Sequence, residues 1–81
     1  MLRSEKNMTI PKFLVFKTNI STDHDLSIAA KILAQVNEIL CWSVDRQDID
    51  NVLRIEGCGI GPDDIIKIFR DAGFHCEELP D

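Results

Sequence analysis

The residues best suited to chemistry lie in one short polar segment, Ser21-Thr22-Asp23-His24-Asp25. An imidazole beside two carboxylates can bind a metal ion, because zinc accepts histidine nitrogen and carboxylate oxygen. The segment also fits a capping box, in which Thr22 caps a helix and Asp25 reaches back to the cap amide. Successive helical residues point about 100° apart, so they converge poorly on one ion. We therefore predict that the segment starts a helix, with a metal site of His24 with Asp23 or Asp25 as the alternative.

The three cysteines, Cys41, Cys58 and Cys76, are an odd number and lie far apart in the chain. This spacing does not indicate a disulfide framework, so we expect a reducing, cytoplasmic environment. Cys58, between two glycines, is predicted to be the most exposed thiol and is a second candidate metal ligand. Cys41 and Cys76 are expected on opposite edges of the sheet, with Cys76 facing the core.

No motif in the sequence indicates catalysis. Nothing resembles a nucleophile–base pair, a phosphate loop or a cofactor fingerprint. The glycine-rich segment "GCGIGP" lacks the lysine of a P-loop and is interpreted as a turn. We predict that the protein is not an enzyme and needs no cofactor.

Length and charge narrow the classes of partner. The chain has 81 residues, of which 44% are hydrophobic and 28% charged, and its formal net charge is −5. This length predicts one globular domain. A negative chain without a basic face is not expected to bind nucleic acid or an anionic membrane surface. No apolar run is long enough for a membrane span, and no secretory signal is evident, so we expect no membrane insertion.

Hydrophobic periodicity and turn residues predict six elements. Residues 1–10 show no periodicity and are expected to be a flexible tail before a domain at 11–81, with Met8 a second candidate for the natural start.

The predicted elements begin with a strand in "KFLVFKTNI" and a helix from about Asp23 to about Ile39, with Leu40 on its buried stripe. A hairpin of "CWSVD" and "VLRIEG" follows. The last two elements are a helix that starts after Gly61 and stops at Gly73, and a strand in "FHCEEL". The order βαββαβ predicts an α+β, ferredoxin-like sandwich: a four-stranded antiparallel sheet of order 4-1-3-2 with both helices on one face.

These pieces together resemble the heavy-metal-associated domain family of small copper and zinc carriers and pump modules. The resemblance covers residues 12–79 and is carried by "FKTNI", "WSVD", "VLRIEG" and "DDIIKIFRDAGF" in that order. It implies a metal loop with an apolar residue, any residue, and then Cys-x-x-Cys. Here the apolar position is Ile20, while the two cysteine positions are Thr22 and Asp25.

The departure from that motif decides the predicted function. Copper(I) is soft and is held by thiolates, whereas a hydroxyl and a carboxylate are hard oxygen ligands. We therefore predict a non-catalytic accessory or interaction module with a degenerate metal-binding motif. The alternative is a metal-binding or transport protein that uses His24 with its acidic neighbours, or Cys58.

Alternation along the strands predicts where a protein partner could bind. The sheet face without helices is expected to expose an apolar patch of Phe13, Val15 and Val52. The side of the first helix that bears Ile28 and Ile32 is a second candidate surface. The second strand is expected at a sheet edge, where it could pair with a second copy of the chain.

Overall fold

The computed structural model describes residues 10–79, which form two helices and four strands. The elements are β1 (Lys12–Thr18), α1 (Asp23–Ala34), β2 (Ile39–Asp45), β3 (Val52–Gly57), α2 (Pro62–Asp71) and β4 (Cys76–Glu78). The predicted tail and the suggested start at Met8 fall on residues 1–9, with only Ile10 of the tail inside the described residues.

The four strands form one antiparallel sheet in the order β2-β3-β1-β4. This is the predicted order 4-1-3-2 counted from the other edge, so the ferredoxin-like α+β fold is confirmed. The two central strands align Leu14 with Ile55 and Phe16 with Leu53. Since side chains alternate along a strand, these four residues share one face of the sheet.

Both helices pack on that face of the sheet, and the core lies between the two layers. Residues of α1 and α2 join the inward residues of the strands in a single buried cluster. Its members are Leu14, Phe16, Ile20, Ala29, Leu33, Leu53, Ile55, Ile60, Ile65, Phe69 and Cys76. The rings of Phe69 and Phe74 meet edge-on at 5.8 Å between centroids. No helix within residues 10–79 is long and apolar enough to cross a membrane.

The C-terminal end of α1 differs from the prediction. The helix ends at Ala34 with Gln35 as its C-cap, so the predicted continuation to Ile39 was wrong. After the helix end the backbone forms turn hydrogen bonds, in which the amide of Ile39 donates to Val36 O at 3.2 Å. Ile39 instead opens β2, and Leu40 lies at a register shift in the β2–β3 ladder, where it is 59% exposed rather than buried.

Candidate functional site

The segment between β1 and α1 is held by buried residues on its N-terminal side. Thr18 is buried, and its hydroxyl donates to the carbonyl oxygen of Asn51 at 2.6 Å. The same hydroxyl oxygen accepts from the amide of Ile20 at 3.2 Å. Ile20 is fully buried in the core. The chain therefore leaves the sheet in a fixed direction before it reaches Ser21.

The residues that follow form the capping box that the sequence predicted. Thr22 has an extended backbone and is the N-cap of α1. Its hydroxyl oxygen accepts from the Asp25 amide at 3.0 Å. The carboxylate oxygen Oδ2 of Asp25 accepts from the amides of Ser21 and Thr22, at 3.3 and 3.4 Å. These contacts satisfy backbone donors that a helix start otherwise leaves without a partner.

The same hydrogen bonds lower the pKa of the Asp25 carboxyl group below its ordinary value. The bond from the Ser21 amide is the largest cause, and the hydroxyl and amide of Thr22 and the charge of His24 act in the same direction, while loss of contact with water opposes them. A hydrogen bond to the charged form of a carboxyl group favours that form. Asp25 is therefore an ionised hydrogen-bond acceptor at neutral pH.

The other two residues of the segment point to different surroundings. Asp23 Oδ1 accepts from Arg46 Nη1 at 2.8 Å, which links the start of α1 to the turn between β2 and β3. The Asp23 side chain is 95% exposed, so this ion pair contributes little to stability. His24 is exposed on the first turn of α1.

The predicted metal ligands are not brought together around one point. Among residues 10–79, no group of three or more histidine, cysteine, aspartate or glutamate side chains is arranged to hold a metal ion. The second histidine, His75, lies at the same end of the sheet. Its Nε2 lies 2.9 Å from Glu77 Oε1, and its amide donates to Asn19 Oδ1 at 2.9 Å.

The cysteines differ from the prediction in one respect. Cys41 lies on the outer strand β2 and Cys76 on the outer strand β4, as expected. Cys76 is fully buried, and this burial raises the pKa of its thiol to about 11. Cys58 was predicted to be the most exposed thiol, but it is half-buried and Cys41 is the exposed one. The amide of Cys58 donates to Glu38 O at 3.0 Å, which holds its backbone against the residue that precedes β2.

The predicted apolar patch on the open face of the sheet is smaller than expected. Phe13 is 72% exposed, and Val15 beside it on β1 is half-buried. Val52, however, is only 5% exposed. Lys17, further along β1, extends to Asp50, where Nζ and Oδ1 are 3.7 Å apart. Val52 therefore does not belong to an exposed patch.

The second predicted surface, on α1, is also reduced. Ile28 and Ile32 are both half-buried rather than exposed. Ile32 packs against the core cluster. Neither residue of this pair is therefore fully exposed.

Sequence reasoning missed a groove on the open face of the sheet. It has a volume of about 290 Å³ and is lined by Phe13, Cys41, Trp42, Ser43, Arg54, Ile55 and Glu56. Cys41 and Glu56 are cross-strand neighbours, and the thiol donates to Glu56 Oε1 at 3.3 Å. This hydrogen bond and the glutamate charge raise the pKa of Cys41. The alternation of side chains along β2 and β3 places Cys41 and Glu56 on the same face, and this pattern was the sequence signal for the groove.

A scan of protein-family models and a search of curated proteins find no match to this chain.

Proposed function

We propose that this protein is a non-catalytic interaction module of the heavy-metal-associated type that does not carry soft metal ions. The supporting observation is the capping box at Thr22 and Asp25, the positions of the two cysteines in the resembling family. Thr22 Oγ1 accepts from one backbone amide at 3.0 Å, and Asp25 Oδ2 accepts from two more. The atoms that stand where thiolates would bind copper(I) are engaged with the backbone.

The chemistry of these atoms supports the same conclusion. A neutral hydroxyl is a poor ligand, and copper(I) prefers thiolates over hard oxygen ligands. A metal ion at this loop would have to displace the hydrogen bonds that start α1. Loss of a threonine cap costs about 0.5–2 kcal/mol. Metal binding at this loop is therefore disfavoured both by the poor ligand chemistry and by the lost hydrogen bonds.

The interaction role follows from what the fold leaves available. One face of the sheet is covered by helices, whereas the other exposes Phe13 and the groove beside Cys41. An outer strand and an apolar ring on the same side of the molecule can both contribute to a protein–protein contact. We place this module in the cytoplasm, where a reducing environment keeps an exposed thiol such as Cys41 reduced.

Competition titration with copper(I) under reducing conditions tests this proposal. We expect no stoichiometric copper(I) binding by the unaltered chain. The double substitution Thr22→Cys with Asp25→Cys should create tight binding, because it restores two thiolates at the family spacing. Thr22→Cys alone is the matched control and should bind far more weakly. Tight binding by the unaltered chain that persists in Cys41→Ser and Cys58→Ser variants would overturn the proposal.

A further inference from the structure

The two outer strands of the sheet differ in how well they are protected against pairing with another strand. β4 has three residues, two of which are Glu77 and Glu78. β2 has seven residues, with no lysine or proline, and its one charged residue is Asp45 at the end. Natural sheets protect an edge with short strands, charges or proline, because the outward amides and carbonyls of an edge can bind a further strand. β4 has this protection and most of β2 does not.

The regular part of β2 defines how a second strand would align. A register shift between Ile39 and Cys41 interrupts the ladder, and such bulges terminate pairing. The uninterrupted segment is Cys41–Asp45, whose midpoint is Ser43. Among antiparallel alignments of two copies of this segment, the overlap is complete only with Ser43 opposite Ser43. This alignment is two-fold symmetric, which is the commonest symmetry of protein dimers.

The side chains of the segment complement themselves in this alignment. On the helix side, Trp42 lies opposite Val44 of the second copy, and both residues are half-buried at the margin of the core. Aromatic and β-branched residues form favourable cross-strand pairs. On the open face, Cys41 lies opposite Asp45 of the second copy. Since the pKa of Cys41 is raised, its neutral thiol does not repel that carboxylate.

We propose that the chain forms a two-fold symmetric dimer in which β2 pairs antiparallel with β2 of a second copy, with Ser43 at the symmetry axis. This inference rests on the proposed function, since it names a second copy as the partner of the interaction module. A five-residue strand pair buries less area than a standard protein interface, so the dimer is reversible and depends on concentration.

Sedimentation of the full reduced chain from micromolar to millimolar concentration tests the dimer. The average mass should rise from that of one chain towards twice that value. Ser43→Lys should weaken association by about fivefold or more, because like charges then lie opposite each other. Ile49→Lys makes the same charge change at a residue that is 93% exposed in the β2–β3 turn, and should leave association unchanged.

Cross-linking tests the alignment itself. In a Cys41→Ser background, Ser43→Cys should be joined to a second copy by a short bis-maleimide, whereas Lys31→Cys on exposed α1 should not. A chain that stays monomeric at millimolar concentration, equal association by Ser43→Lys and Ile49→Lys, or equal cross-linking at both positions would overturn the dimer. Copper(I) binding at Thr22 and Asp25 would overturn the proposed function whatever the mass of the particle.

Discussion

The two helices of this protein begin in related but unequal ways. In α2, Gly61 is the N-cap and its amide donates to Asp64 Oδ2 at 3.0 Å. In α1, Asp25 makes the equivalent contact with the amide of Thr22, and the threonine hydroxyl adds an acceptor that glycine lacks. The carboxylate three residues after the cap therefore recurs at both strand-to-helix junctions. Because an aspartate binds the N-cap amide at both junctions, the recurrence supports a structural role for Asp25.

The hydroxyl of Thr22 should account for the largest difference between the two helix starts. We expect Thr22→Ala to lower the free energy of unfolding by about 1 kcal/mol, because the N-cap acceptor is lost. Thr22→Gly should cost only a few tenths of a kcal/mol, because it recreates the kind of N-cap found in α2. Urea unfolding followed by Trp42 fluorescence measures both. Equal losses in the two variants would show that the hydroxyl does not cap α1.

The carboxylate of Asp25 should leave a signature in the pH dependence of stability. Its pKa is lowered in the folded chain, so its contribution is present above the unfolded pKa of about 3.9 and is lost as pH falls through the lower folded value. Asp25→Asn should therefore reduce the loss of stability below about pH 4. The control is Asp71→Asn, at the last residue of α2 and away from both helix starts. If both variants show the acid profile of the unaltered chain, the carboxylate does not serve the backbone.

The smallest effect is expected when the cap of α1 is transferred to α2. Gly61 has φ −106° and ψ 170°, and an added Cβ would meet only Asp64 Oδ2 at 3.9 Å. Gly61→Ser should raise the free energy of unfolding by a few tenths of a kcal/mol. Gly59→Ser is the contrasting control, because its φ of +74° is strained for a side chain, and it should destabilise. If Gly61→Ser lowered the free energy of unfolding as much as Gly59→Ser, the comparison of the two helix starts would be contradicted.

The ends of the two helices show what the sequence could and could not predict. Gly73 stops α2 in the left-handed region, with φ +93°, and glycine at that position is a strong local signal. α1 has no such glycine, and Ile39 and Leu40 continue the helical apolar pattern beyond its end. Strand pairing with β3 decides their structure instead. Local rules therefore predicted both helix starts and one helix end, whereas the other end depended on tertiary contacts.

The candidate site and surfaces also show that local sequence patterns do not predict features that depend on tertiary contacts. The capping box of Thr22 and Asp25 involves residues three apart in sequence, so its chemistry was evident from the sequence. The burial of Val52 is not evident from its own strand, because alternation along β3 places it on the face without helices. The contact between Cys41 and Glu56 depends on the register of β2 and β3. Alternation assigns a face to each residue, but it does not show which neighbour covers it.

The most direct test of the central claim observes the loop while metal ions are offered to it. Backbone amide resonances of Ser21, Thr22 and Asp25 should be followed by NMR in the reduced chain as copper(I), and separately zinc, is added to one equivalent. We predict that all three resonances keep their positions, because their hydrogen bonds to Thr22 Oγ1 and Asp25 Oδ2 persist. Saturable shifts of these amides at one equivalent would show that the loop binds the ion, and would contradict the account.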